Sequence, residues 1–143
     1  MIQHILDKEK LLAIIVRNKF SEKGIKFFTP NDFSQQLGYM HHPKGHKILP
    51  HVHNHMPREV KYTNEVLFIK SGEIRVDFYD NNQKYLQSSN LYEGDIILLA
   101  SGGHGFEMLK DAEMIEVKQG PYMGDQDKTR FKSVDKNKIL IKD

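Results

Sequence analysis

Lys61-Tyr62-Thr63-Asn64-Glu65-Val66-Leu67-Phe68-Ile69-Lys70-Ser71-Gly72-Glu73-Ile74-Arg75-Val76-Asp77-Phe78-Tyr79 carries the plainest β-hairpin pattern in the chain. It predicts a strand over Lys61 to Lys70, a tight turn at Ser71-Gly72 and a returning strand over Glu73 to Tyr79. Side chains alternate across a strand, so Glu65 shares a face with the apolar Leu67 and Ile69. That face points inward. A carboxylate among apolar neighbours is costly unless it is paired or binds a metal.

The same pattern continues on both sides of this hairpin. Upstream, strands are predicted at Ile25 to Phe28, Leu37 to Met40 and Ile48 to His53, with Thr29-Pro30-Asn31-Asp32 and Pro43-Lys44-Gly45 as breaks. Downstream, Asp80-Asn81-Asn82 turns the chain into a strand at Tyr85 to Ser88. The run Ile96-Ile97-Leu98-Leu99 is apolar on both phases, as in a strand buried on both faces. Ser101-Gly102-Gly103 ends it, and Phe106 to Leu109 and Met114 to Lys118 complete the set. Many short strands with such punctuation give an all-β sandwich or barrel. The segment from residue 5 to 19 fits two readings. Ile5, Leu6, Leu12, Ile15 and Val16 partly follow a helical face, while Ala13-Ile14-Ile15-Val16 is β-like; the expectation is a short helix that enters a strand. The polar tail ends in Ile139-Leu140-Ile141, an apolar triplet expected to pack on the sheet edge or on a partner subunit, and it motivates an expected homodimer.

The bulk properties narrow the function classes. The chain has 143 residues, which suits one domain, with the motif-bearing part at about 24–120. A formal net charge of +2, with Lys and Arg interleaved with Asp and Glu, lacks the basic stripe of a nucleic-acid binder. There are no cysteines, which excludes disulfides, thiolate chemistry and Cys-containing metal sites. No run approaches the ~20 apolar residues of a membrane span. The N-terminal apolar run, Leu11 to Val16, is too short for a secretory signal, so a cytoplasmic location is expected.

Six of the eight histidines fall between residues 41 and 55. In a strand, His51 and His53 point the same way, roughly 6.6 Å apart at the backbone, and two imidazoles so placed can converge on one ion. Two surface histidines would read the same way. Around the pair the spacing is Gly45-x5-His51-x-His53-x11-Glu65-x6-Gly72. A rival carboxylate, Glu59, follows His53-Asn54-His55 after three residues, but no glycine succeeds it at the matching distance. His55 is expected near the mouth of the pocket and not as a ligand. A second constellation runs Gly94-Asp95-Ile96-Ile97-Leu98-Leu99-Ala100-Ser101-Gly102-Gly103-His104.

These two constellations resemble the two cupin motifs, G-x5-HxH-x3–4-E-x6-G and G-x5-P-x-G-x2-H-x3-N. The gap between His53 and Glu65 is longer than in the pattern. Ala100 stands at the proline, His104 comes one residue early and Met108 stands at the asparagine. The resemblance implies a cupin-type jelly-roll β-barrel with a short N-terminal helix or strand extension. It also implies one divalent transition metal (Fe, Mn, Ni or Zn) held by His51, His53, Glu65 and His104. Glu107, three residues beyond His104, is out of phase with it and is not expected to act as a base. Three functions remain open: a metal-dependent enzyme acting on a small polar substrate such as a carbohydrate or nucleotide sugar, an iron-dependent dioxygenase, and a non-catalytic module for a small-molecule ligand.

Overall fold

Of the two strands predicted around Ser71-Gly72, the returning one forms residue for residue as β6 (Glu73–Tyr79), while the first, expected from Lys61, begins four residues later as β5 (Glu65–Ser71). The computed structural model describes residues 1–143, which divide into two compact units: Met1–Phe20 with Tyr62–Asp143, and Ser21–Lys61.

The larger unit holds β1 (Ile2–Asp7), β2 (Lys10–Val16), β5, β6, β7 (Tyr85–Tyr92), β8 (Ile96–Leu99), β9 (Gly103–Met108) and β10 (Glu113–Lys118). They form two antiparallel sheets, one ordered β1-β2-β8-β5-β10 and one ordered β7-β6-β9. Neither sheet closes into a barrel. Alternation supplies the core: Leu67 and Ile69 of β5, Ile97 and Leu99 of β8, and Ile5 and Ile15 of the first hairpin come from one sheet. Ile74, Val76 and Phe78 of β6 and Leu91 of β7 come from the other, and all pack into one cluster. Gly72 makes the β5–β6 turn at φ +87°, where a Cβ would lie 2.1 Å from the Asp111 carbonyl oxygen, so no other residue fits there.

The N-terminal segment is a β-hairpin and contains no helix, which corrects the expected helix entering a strand. Lys8 takes a left-handed φ of 55° between β1 and β2, and Ala13 to Leu99 and Ile15 to Ile97 pairings place β2 deep in the sheet. A helix would leave the central strand β8 without its neighbour. The apolar tail triplet is used within the chain. Ile141 forms a parallel bridge to Ser88 of β7, the Ser88 amide donates to the Leu140 carbonyl at 2.8 Å, and the Lys142 amide donates back to the Ser88 carbonyl at 2.8 Å.

The smaller unit is a two-stranded hairpin, β3 (Gly24–Phe27) with β4 (Gly38–His41), followed by a segment without regular structure. The strand expected at Ile48 to His53 does not form. Pro50 lacks an amide hydrogen, no strand pairs with the segment, and every residue from 48 to 53 is exposed. No helix in the chain is long and apolar enough to cross a membrane.

Candidate functional site

Glu65 opens β5 on the inward face it shares with the buried Leu67 and Ile69, as alternation predicts. His104 is the second residue of β9, opposite Phe78 of β6, and so lies on the inward face of the other sheet. The two side chains meet across the end of the core: His104 Nε2 and Glu65 Oε2 are 3.1 Å apart, with side-chain exposures of 30% and 13%. The hydrogen bond from His104 holds the Glu65 carboxyl below its usual value. It prevails over burial, which pushes the other way, and the charges of His104, Lys118 and Lys128 act in the same sense as the bond. Phe106, two residues along β9, sets its ring 5.5 Å from the imidazole.

The neighbouring backbone is tied down on each side of this pair. Asn64 is buried and donates from Nδ2 to the Ala100 carbonyl at 2.9 Å, while its amide donates to Gln119 Oε1 at 2.9 Å. The Ala100 amide donates to the Leu12 carbonyl at 2.8 Å, a bond that proline cannot make. Gly102 turns the chain into β9 at φ +73°, and a Cβ there would lie 2.5 Å from the Tyr79 carbonyl oxygen.

Glu65 and His104 open into a cleft of about 660 Å³, a size suited to a small molecule. Its far wall is the chain from residue 127 to 133, which the sequence analysis did not identify. Thr63 Oγ1 donates to Asp127 Oδ1 at 2.7 Å, and the Val134 amide donates to the Tyr79 hydroxyl at 3.0 Å. Phe131 stands edge-on to Tyr79, with centroids 5.0 Å apart, and fills the space that a Cβ on Gly103 would need. Burial raises the Tyr79 phenol above its ordinary value. No periodicity marks this segment; Phe131 among polar neighbours was its only signal.

The other two expected ligands belong to the smaller unit. His51 and His53 are side by side, ring centroids 5.3 Å apart and edge-on, but both are exposed, and His51 Nδ1 is 2.9 Å from the Leu49 carbonyl oxygen. They are neighbours without the strand that was expected to align them. His55 is exposed. Glu59 is exposed too and lies 3.5 Å from Lys61, so it is Glu65 that the fold brings to a histidine. Nowhere do three or more His, Asp or Glu side chains converge as a metal-ligand group. Glu107 is out of phase with His104, as expected, and pairs with Arg75 at 2.7 Å.

The Glu65–His104 distance suits two chemistries. It is a hydrogen bond as it stands. A carboxylate and an imidazole this close are also two donors that a divalent ion could take. Comparison with known proteins finds no match to any protein-family model, to any curated protein or to any solved structure.

Proposed function

We propose that the chain is a cupin-type protein that binds one divalent metal and acts on a small polar molecule, a carbohydrate or nucleotide sugar. The single observation that carries this reading is the inward-facing Glu65–His104 pair, 3.1 Å apart and lining a cleft of about 660 Å³. A carboxylate and an imidazole are donors for Fe, Mn, Ni or Zn. His51 and His53 enter this reading from the sequence alone, on the Gly45-x5-His51-x-His53 spacing. A bound divalent ion supplies polarisation of a ligand oxygen. The chain's own part is to keep Glu65 ionised and to hold the His104 ring against it. The segment at residues 127–133 lines the same cleft as the pair. The homodimer belongs to the same reading; its support is the outward-facing Phe68, Ile115 and Val117, apolar and 40%, 54% and 57% exposed beside the edge strand β10.

The test is turnover of candidate sugars and nucleotide sugars by untagged protein loaded in turn with each ion, beside the His51→Ala/His53→Ala variant. Turnover that requires metal and is lost in the variant supports the reading. Equal turnover by metal-free protein would sink it. The exposure of His51 and His53 favours a second reading, a non-catalytic pocket in which Glu65 and His104 hold a ligand by hydrogen bonds alone. Tight binding of an unchanged sugar, with no turnover under any ion, would select it.

A further inference from the structure

The charged groups along the cleft are not all engaged. Each carboxylate has donors within the protein. Glu65 takes the His104 hydrogen bond, Asp127 takes the Thr63 hydroxyl, and Asp80 Oδ1 accepts the amides of Asn82 at 2.8 Å and Lys84 at 2.9 Å to close the β6–β7 turn. The cations are less committed. Lys128 lines the cleft and makes no ion pair, and its charge reaches Glu65. Arg130 also lines the cleft, and its one carboxylate partner is Asp125 at 3.1 Å, in a pair whose side chains are 74% and 86% exposed. An exposed pair of this kind is worth about 0–1 kcal/mol and exchanges readily for a better partner.

Lys128 and Arg130 also stand two residues apart on one segment. Lys128 is extended, at φ −145° and ψ 147°, and both residues border the same cleft. Two cations at that spacing are within reach of a single anion, roughly 6.6 Å apart at the backbone. The same cleft is lined by Thr129, Asn81 and Gln83, whose side chains offer hydrogen bonds to a hydroxylated body.

From this arrangement we infer that the ligand of the cleft is a polyhydroxylated small molecule with a terminal phosphate or carboxylate, and that Lys128 and Arg130 hold that anion while the uncharged end faces Glu65 and His104. This deepens the proposed function and rests on its choice of cleft. Ammonium and guanidinium groups both bind such anions, the guanidinium in bidentate geometry.

Calorimetric titration of the full chain with glucose 6-phosphate, gluconate, glucose and inorganic phosphate tests it, in metal-stripped and metal-loaded protein. At least one of the two charged sugars is expected to bind about tenfold or more tightly than glucose. Lys128→Met and Arg130→Met should each remove most of that advantage, with the metal content unchanged, while Lys132→Met, outside the cleft, leaves it intact. The preference should shrink as salt is raised. A preference for glucose 6-phosphate over gluconate identifies the anion as phosphate, and the reverse as carboxylate. Binding of charged and neutral sugars alike, no binding of either charged sugar at millimolar concentration, or full retention of the preference in both variants would overturn it. An anion preference that survives in a chain unable to take up metal sinks the metal reading and leaves this one standing.

Discussion

Glu65 is sheltered enough that burial alone would raise its carboxyl, and the hydrogen bond from His104 reverses the sign. A carboxyl lowered in the folded state contributes stability above its unfolded value, about 4.3 for glutamate, and loses it as pH falls through the folded one. In metal-free protein, urea unfolding across the acid range should therefore show Glu65→Gln less stable by about 1 kcal/mol at neutral pH, with the difference vanishing in acid. A difference that grows in acid would contradict this assignment. Asp95 plays a different part. It is buried and accepts from Arg17 Nη1 at 2.9 Å, the Asn18 amide at 2.9 Å and the Tyr92 amide at 3.1 Å. Asp95→Ala leaves the Asn18 and Tyr92 amides without this acceptor and takes one carboxylate from the half-buried Arg17, which keeps the Asn90 carbonyl and Asp143, and should cost about 2 kcal/mol in the same unfolding measurement. Its place directly after Gly94 makes it look like part of a ligand motif, whereas its geometry is that of a fold anchor.

Among the elements, β6 and β8 have the ends the sequence predicts, because Gly72 and Gly102 stop the neighbouring chain with backbone angles that favour glycine. Where the sequence misled, two patterns overlapped or a partner was missing. Ile5 to Val16 carries helical and strand spacing at once, and pairing with β8 decides between them. Ile48 to His53 alternates like a strand but has Pro50 at its centre and nothing to pair with. The site was legible in the same uneven way. Glu65 and His104 could be read because each sits at a definite phase of a strand. Lys128, Arg130 and Phe131 could not, because an irregular segment has no phase, and only folding shows what it lies against. Ala100 stands where the motif expected from the sequence has proline. Ala100→Pro restores the motif residue but removes the bond to Leu12, so it should lower stability by about 1–3 kcal/mol. A variant more stable than the parent by thermal unfolding would refute that explanation.

The chain divides its eight histidines between two units: His4 and His104 belong to the larger one and the six from His41 to His55 to the smaller. The larger unit's edge strand β10 carries the exposed Ile115 and Val117, and an exposed apolar edge invites a second copy. Light scattering at micromolar concentration should give a dimer for the parent chain and a monomer for Ile115→Lys/Val117→Lys; a monomeric parent would remove the dimer from the account. In the proposed reading, Glu65 and His104 belong to a metal site. Equilibrium dialysis of metal-stripped, untagged protein against Fe(II), Mn(II), Ni(II) and Zn(II), beside His104→Ala and Glu65→Gln, tests it most directly. The expected result is uptake of about one ion per chain by the parent and a loss of affinity of about tenfold or more in each variant. Uptake by neither parent nor variant, or uptake that both variants retain in full, would contradict it.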